Sequence, residues 1–269
     1  MLRLPAVAGQ FYSADQRELT RDIRQFATQI SEHGKKSVKA CLVQHAGYVY
    51  SGRVAGAVFG QIEIPKIVLL LGVRHFPRGE SAAILSDGAW RTPFGDVPID
   101  SHLANALKEK CSLLKEDAVA HAQEHSLEVQ LPFLQVLRPD FQFVPIALGT
   151  IRFEELQTIG EVFGELLCER KDEILLLTTS DLNHYEDEAE TRRKDEIAIA
   201  KLEALDPHGL YAACRNESIS MCGLGPAVAM LFALKKLGAT RAETVMHASS
   251  AATSGDYRRV VGYVGMTFC

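Results

Sequence analysis

Short, nearly unbroken apolar runs alternate along this chain with longer stretches of helical periodicity. Six runs have the length and character of buried strands: Val38 to Val43, Ile67 to Leu71, Phe141 to Leu148, Ile174 to Thr178, Glu243 to His247 and Val260 to Thr267. A run that is apolar at almost every position suits a strand covered on both faces, the usual condition of a largely parallel sheet. Helical patterns separate most of them, over His102 to Lys110, Phe153 to Cys168, Arg192 to Leu205 and Ala227 to Leu237. Leu156, Ile159, Phe163 and Leu166 share one helical face. Asp206-Pro207 reads as an N-cap followed by a first helical residue, Gly225-Pro226 opens a further helix, and Gly238 closes it.

Two segments depart from this alternation. Ala82 to Ile99 carries Asp87-Gly88 and Gly95-Asp96 turn signals between apolar stretches, which predicts a hairpin-like insertion and a mixed sheet. In Glu124 to Leu137, residues Leu127, Leu131 and Leu134 fit a helical face, but Pro132 lacks an amide donor and predicts a kink or a helix that begins late. No linker, charge block or internal repeat divides the chain. Residues 1–269 therefore read as one α/β domain, with a central mixed, largely parallel sheet flanked by helices.

Composition adds mainly exclusions. With 47% apolar and 23% charged residues the chain is that of an ordinary globular protein, neither disordered nor low-complexity. A chain of this length buries roughly 70–75% of the surface its unfolded form exposes, so a metal would serve function rather than hold the fold together. The balance of 29 Lys and Arg against 34 Asp and Glu, a net charge of −5, has the wrong sign for electrostatic capture of nucleic acid or anionic lipid. Apolar runs such as Ile67 to Val73 fall well short of the ~18 residues a membrane span requires, and Met1 to Tyr12 lacks the form of a signal peptide, so a cytoplasmic protein is expected. Six cysteines without CxxC spacing are expected to be mostly reduced and buried.

The chemistry concentrates at strand ends. Three strand candidates run directly into a histidine: Cys41 to His45, Val68 to His75 and Leu175 to His184. Parallel neighbours would bring His45, His75 and His184 to one crevice, because ligands of open α/β sheets bind beyond the carboxyl ends of the strands. His33, His102, His121, His208 and His247 lack that context and read as surface or packing residues. Cys222 precedes the helix opened by Gly225-Pro226, where the helix dipole would favour a thiolate; the alternative is a small side chain packed under the turn. Asp181 either orients His184 for proton transfer or makes an Asx-turn or cap. In Glu124-His125-Ser126 the stronger local reading is an N-cap, by Ser126 or another polar group. Gly47, Gly52, Gly56 and Gly60 match no nucleotide-binding loop.

Several of these clusters, taken in order, resemble the Memo family, whose bacterial members are also called AmmeMemoRadiSam system protein B. The carriers are Pro5 to Tyr12, His45 to Gly52, Leu71 to His75, Glu124 to Glu128, Ser180 to Tyr185 and Met221 to Gly223, spanning nearly the whole chain. The resemblance implies the fold of the class III extradiol ring-cleaving dioxygenases, which are non-haem iron proteins. It further implies metal ligands at His45, His75 and Cys222, an acid/base histidine at His184, and Asp181, Glu124 and His125 lining the same pocket. Two departures stand out: Gln44 replaces the usual proline, and Val73-Arg74-His75-Phe76 replaces Pro-Ser/Asn-His-His. Arg74 either serves an anionic substrate or points into solvent.

From this follow two expectations of different class. One is a redox enzyme whose iron or copper acts on a small molecule while His184 moves protons, with a zinc-assisted hydrolase as its variant. The other is a non-catalytic module that binds a peptide or protein, or handles metal. The family's label also implies radical-SAM and other AmmeMemoRadiSam system partners.

Overall fold

The computed structural model describes residues 1–27, 34–149, 152–170 and 173–269. Its strands in chain order are β1 (Leu2–Arg3), β2 (Ala40–Val43), β3 (Ile67–Val73), β4 (Ala82–Ile84), β5 (Ala89–Thr92), β6 (Gly95–Pro98), β7 (Lys115–Glu116), β8 (Gln142–Leu148), β9 (Ile174–Thr179), β10 (His184–Glu186), β11 (Ala242–Ser249) and β12 (Val260–Phe268). The helices are α1 (Gln16–Phe26), α2 (Tyr48–Phe59), α3 (Ser101–Lys110), α4 (Ala118–Ala122), α5 (Leu131–Leu137), α6 (Phe153–Glu169), α7 (Glu188–Glu203), α8 (Pro207–Asn216), α9 (Leu224–Lys236) and α10 (Ala251–Ser254).

The main sheet runs β10-β12-β2-β9-β3-β8-β4-β7, with β11 on the free side of β12. Its centre, β2-β9-β3-β8, is parallel, whereas β12 and β4 flank it antiparallel. All residues of β2, β3 and β9 are buried, which explains their unbroken apolar character. The connection from β2 to β3 crosses the sheet one way and that from β8 to β9 crosses back. Right-handed crossovers then place α2 and α6 on opposite faces. α9 packs on β2, β3 and β9 with α6 and α8 behind it; α1 and α5 pack around α2. Each fully buried Leu, Ile or Val in these layers contributes roughly 1.5–3 kcal/mol.

Most predicted elements are present, with instructive differences. α7 starts at Glu188, earlier than the apolar periodicity signalled, because Asp187 caps it by accepting from the Glu190 amide. Asp206 caps α8 as expected, and Gly238, at φ +64°, ends α9. Pro132 sits in the first turn of α5 after a 3₁₀ turn over Glu128–Gln130, the late start its missing amide required. The Ala82 to Ile99 segment is only partly an insertion. β5 and β6 form the hairpin and join β1 in a small second sheet, while β4 enters the main sheet against β8.

Four helices, α1, α2, α4 and α10, lie outside the predicted elements. α1 does carry a helical signal, an Asp15 N-cap followed by Leu19, Ile23 and Phe26 on one face, with Leu19 and Ile23 buried. α2 is rich in glycine and valine, poor helix formers taken alone. Tertiary packing overrides that propensity: a Cβ on Gly56 would lie 2.5 Å from backbone and side-chain atoms of Phe26, so the glycine lets α1 dock against α2. His33 lies outside the described residues. Among those described, no helix is long and apolar enough to cross a membrane.

Candidate metal centre

Parallel register places three side chains on one edge of the sheet. Val43 is paired with Thr179, and Leu71 with Thr178, so the segments leaving β2, β3 and β9 emerge side by side. β9 lies between β2 and β3 although the chain visits it much later, which creates the crevice at a change of connection direction. His45 follows β2, His75 follows β3, and Asp181 follows β9. Cys222 arrives from the turn ahead of α9, and Gly223 makes that approach feasible. A Cβ there would stand 2.4 Å from Ser180 Cβ and 2.6 Å from the Thr179 carbonyl oxygen.

One donor atom each from His45, His75 and Cys222 lie within 4.8 Å of one another. His45 Nε2 is 3.2 Å from Cys222 Sγ, and the two imidazole centroids are 5.1 Å apart. The opposite nitrogen of each histidine is already engaged: His45 Nδ1 meets Thr179 Oγ1 at 2.8 Å and His75 Nδ1 meets Glu124 Oε1 at 2.9 Å. Such outer hydrogen bonds fix ring orientation and leave Nε2 as the donor, the arrangement found behind metal-binding histidines. Two imidazoles and a sulfur suit a soft or borderline ion. Two further groups share members with this one: His75, Glu124 and His125, and Asp181, His184 and Cys222.

Glu124 is the buried keystone of the second group. It accepts from the amides of His75 and Ser126 as well as from the His75 ring. Burial alone would raise its pKa, but the hydrogen bond and charge of His75, with the two amides, bring it down to about 2. His125 stacks on His75 at 4.6 Å, and burial lowers it to about 4. Burial, and then the neighbouring imidazoles, hold His45 well below the ordinary histidine range. Metal coordination needs neutral imidazole, so this environment favours the ligating form.

Some sequence expectations require correction here. Cys222 is not a free thiolate: burial pushes its thiol up, the Asp181 carboxylate adds to this, and the helix end does not compensate. Deprotonation would therefore have to accompany cation binding. Ser126 is not an N-cap. Its hydroxyl accepts from the Val73 amide at 3.1 Å and donates to the Val73 carbonyl, latching the Glu124 turn onto the end of β3. Asp181 does not orient His184 through a ring hydrogen bond, and it is neither an Asx-turn nor a helix cap. Its carboxylate accepts from the His45 amide at 3.0 Å, while His184 Nδ1 donates to the Ser220 carbonyl at 2.9 Å. Arg74 is half-buried and does not extend freely into solvent; its Nη1 donates to the Gly79 carbonyl at 3.0 Å and braces the following loop.

Of the other residues completing the site, Thr179 and Gln130 had no sequence signal. Thr179 orients His45 and receives a hydrogen bond from Gln130, which also donates to the Gln44 carbonyl. The buried Gln44 side chain donates to the Val264 carbonyl. These are common polar residues whose roles appear only through partners distant in sequence. All six cysteines are free; Cys41, Cys111 and Cys214 are buried, and the other three are half-buried.

Over residues 3–267 the chain matches the family described as Memo-like protein. It is 38% identical to a MEMO1 family protein, MK0963, of Methanopyrus kandleri across all of this chain and 99% of that one. It is 41% identical to a MEMO1 family protein of Aquifex aeolicus across 99% of each chain. In three dimensions it resembles the uncharacterised protein JW3007 of Escherichia coli K12 with a TM-score of 0.56, at 12% identity, over 85% of this chain and all of the other. That likeness concerns the fold alone.

Proposed function

The chain belongs to the Memo family, and from that premise and the converging donors we propose that it is a metal-dependent redox protein acting on a small molecule at the strand-end crevice. His45 Nε2, His75 Nε2 and Cys222 Sγ would hold iron or copper. The observation that carries this reading is the arrangement of the two histidines, each tied at Nδ1, with one donor atom of each and the Cys222 sulfur within 4.8 Å of one another. When bound, such a metal supplies electron transfer and polarisation of a ligand.

The protein's own groups would bind, orient and move protons. Glu124 holds His75 by both ring and amide, and His125 covers that ring by stacking. Asp181 holds the His45 amide. His184 lies in one group with Asp181 and Cys222 and keeps Nε2 free of the Ser220 hydrogen bond, so it can accept a proton at that atom.

The test is elemental analysis of protein purified without added metal, beside His45→Ala and Cys222→Ser, followed by oxygen-uptake screening of the iron- and copper-loaded forms against small metabolites. Iron or copper at about one per chain, lost in both variants, together with substrate-dependent oxygen uptake, is the expected result. Equal metal in all three proteins would overturn the site. Oxygen-independent turnover with zinc would replace redox chemistry by hydrolysis, and bound metal without turnover would favour metal handling.

A further inference from the structure

We propose that Asn183 and Ser220 are positioning residues that lock His184 in the Nδ1–H tautomer, leaving Nε2 as the proton acceptor of the site. The inference rests on the role given to His184 above, but its structural content is independent of any metal.

The hydrogen-bond directions follow from groups that can act in only one sense. The Ser220 carbonyl can only accept, so its 2.9 Å contact places the proton on His184 Nδ1. The Ser220 hydroxyl accepts from the His184 amide at 2.8 Å, so one residue grips both backbone and ring of the histidine. Asn183 holds that serine in turn, its Oδ1 accepting from the Ser220 amide and hydroxyl, each at 3.1 Å. The orientation of the Asn183 amide is itself determined. Its Nδ2 faces the Glu186 carboxylate at 2.6 Å, which as an ionised group only accepts, and Lys194 Nζ supports Glu186 at 2.8 Å. Buried Asp195 completes the frame by accepting from the Asn183 amide at 3.0 Å.

The backbone is bent to serve this grip. Tyr185, directly after His184, has φ +65°, a left-handed conformation uncommon for a bulky side chain. The pairing of β10 with β12 shifts register between His184 and Glu186. Such a bulge re-aims a side chain without displacing the strand. A histidine needed only for packing would require neither the bulge nor contacts to both its amide and its ring.

Long-range ¹H–¹⁵N correlation spectra of ¹⁵N-histidine-labelled protein, dialysed against chelator and recorded at pH 8, test this directly. His184 signals are assigned by their loss in His184→Gln. The expected wild-type spectrum shows a protonated Nδ1 and a bare Nε2. Ser220→Ala and Asn183→Ala keep the Ser220 carbonyl but remove the hydroxyl and amide contacts that hold it against the ring, so both should shift the population toward the Nε2–H form, whereas Ser220→Thr, which keeps the hydroxyl, should retain the wild-type signature. Protonation on Nε2 in the wild type, or unchanged spectra in both alanine variants, would overturn the assignment. Should Asn183→Ala not fold, the wild type and the Ser220→Ala and Ser220→Thr pair still decide. Metal content measured on the same proteins separates the two readings. The Nδ1–H tautomer in a wild type that takes up no metal supports this inference while counting against the metal reading alone.

Discussion

His45 Nε2 and Cys222 Sγ lie 3.2 Å apart although 177 positions separate them in the chain. The contact exists because β2 ends beside β9, and the turn before α9 crosses Ser180 closely enough to lay the sulfur against the ring. A site built this way depends on the groups behind its donors as much as on the donors themselves.

Glu124→Gln should therefore weaken metal binding without removing a ligand. Its neutral amide supports the His75 ring less well, and loss of such an outer partner typically costs about 10–100-fold in affinity. Competition titration of Zn(II) or Co(II) against a chelator measures it. An unchanged affinity would remove Glu124 from the site.

Gly223→Ala should damage the same site sterically. The new methyl group meets Ser180 and the Thr179 carbonyl at 2.4–2.6 Å, so the turn must shift and carry Cys222 with it. Overpacking of this kind costs about 1–3 kcal/mol. Both the urea midpoint and the metal affinity should fall, and a full-affinity variant would contradict the close approach.

The N-terminal segment is held by an ion pair deep in the protein. Arg3 Nη1 lies 2.6 Å from Glu128 Oε2, its Nη2 donates to the Glu124 carbonyl, and its guanidinium covers Trp90 at 4.0 Å. Arg3→Ala leaves a buried carboxylate without its countercharge and should cost about 3–5 kcal/mol in equilibrium unfolding. A loss under 1 kcal/mol would show that water replaces the arginine.

Acid should destabilise the protein in two stages. Burial, with the charge of Arg3, lowers His121 from 6.5 to about 4. The unfolded chain therefore takes up that proton first. Stability is fully present above about pH 6.5 and falls as pH drops toward 4, by about 3 kcal/mol for this group. His125 acts in the same window. Glu124, depressed from 4.5 to about 2, contributes stability that is present above pH 4.5 and lost below it. Urea unfolding between pH 7 and 4 should show the first decline, and His121→Phe should make it shallower. An identical slope in the variant would refute the assignment.

The central strands were legible because burial on both faces leaves an unbroken apolar signature, and so were helix ends marked by Asp206 and Gly238. His45, His75 and Cys222 were named through strand-end position and family resemblance. The expected cap at Ser126, free thiolate at Cys222 and ring partner for His184 were not met. Each depended on burial or on a partner from another element: Val73 for Ser126, Asp181 for Cys222, Ser220 for His184.

By itself, the order of apolar and polar residues determined an α/β chain with its reactive side chains at strand exits, since local periodicity and solvent exclusion act over a few neighbouring positions. Tertiary structure alone decided which nitrogen of each imidazole is free, which carboxylate braces which ring, and how closely sulfur approaches. Those outcomes follow from register and crossover direction, which bring remote segments within the roughly 3 Å range of a hydrogen bond.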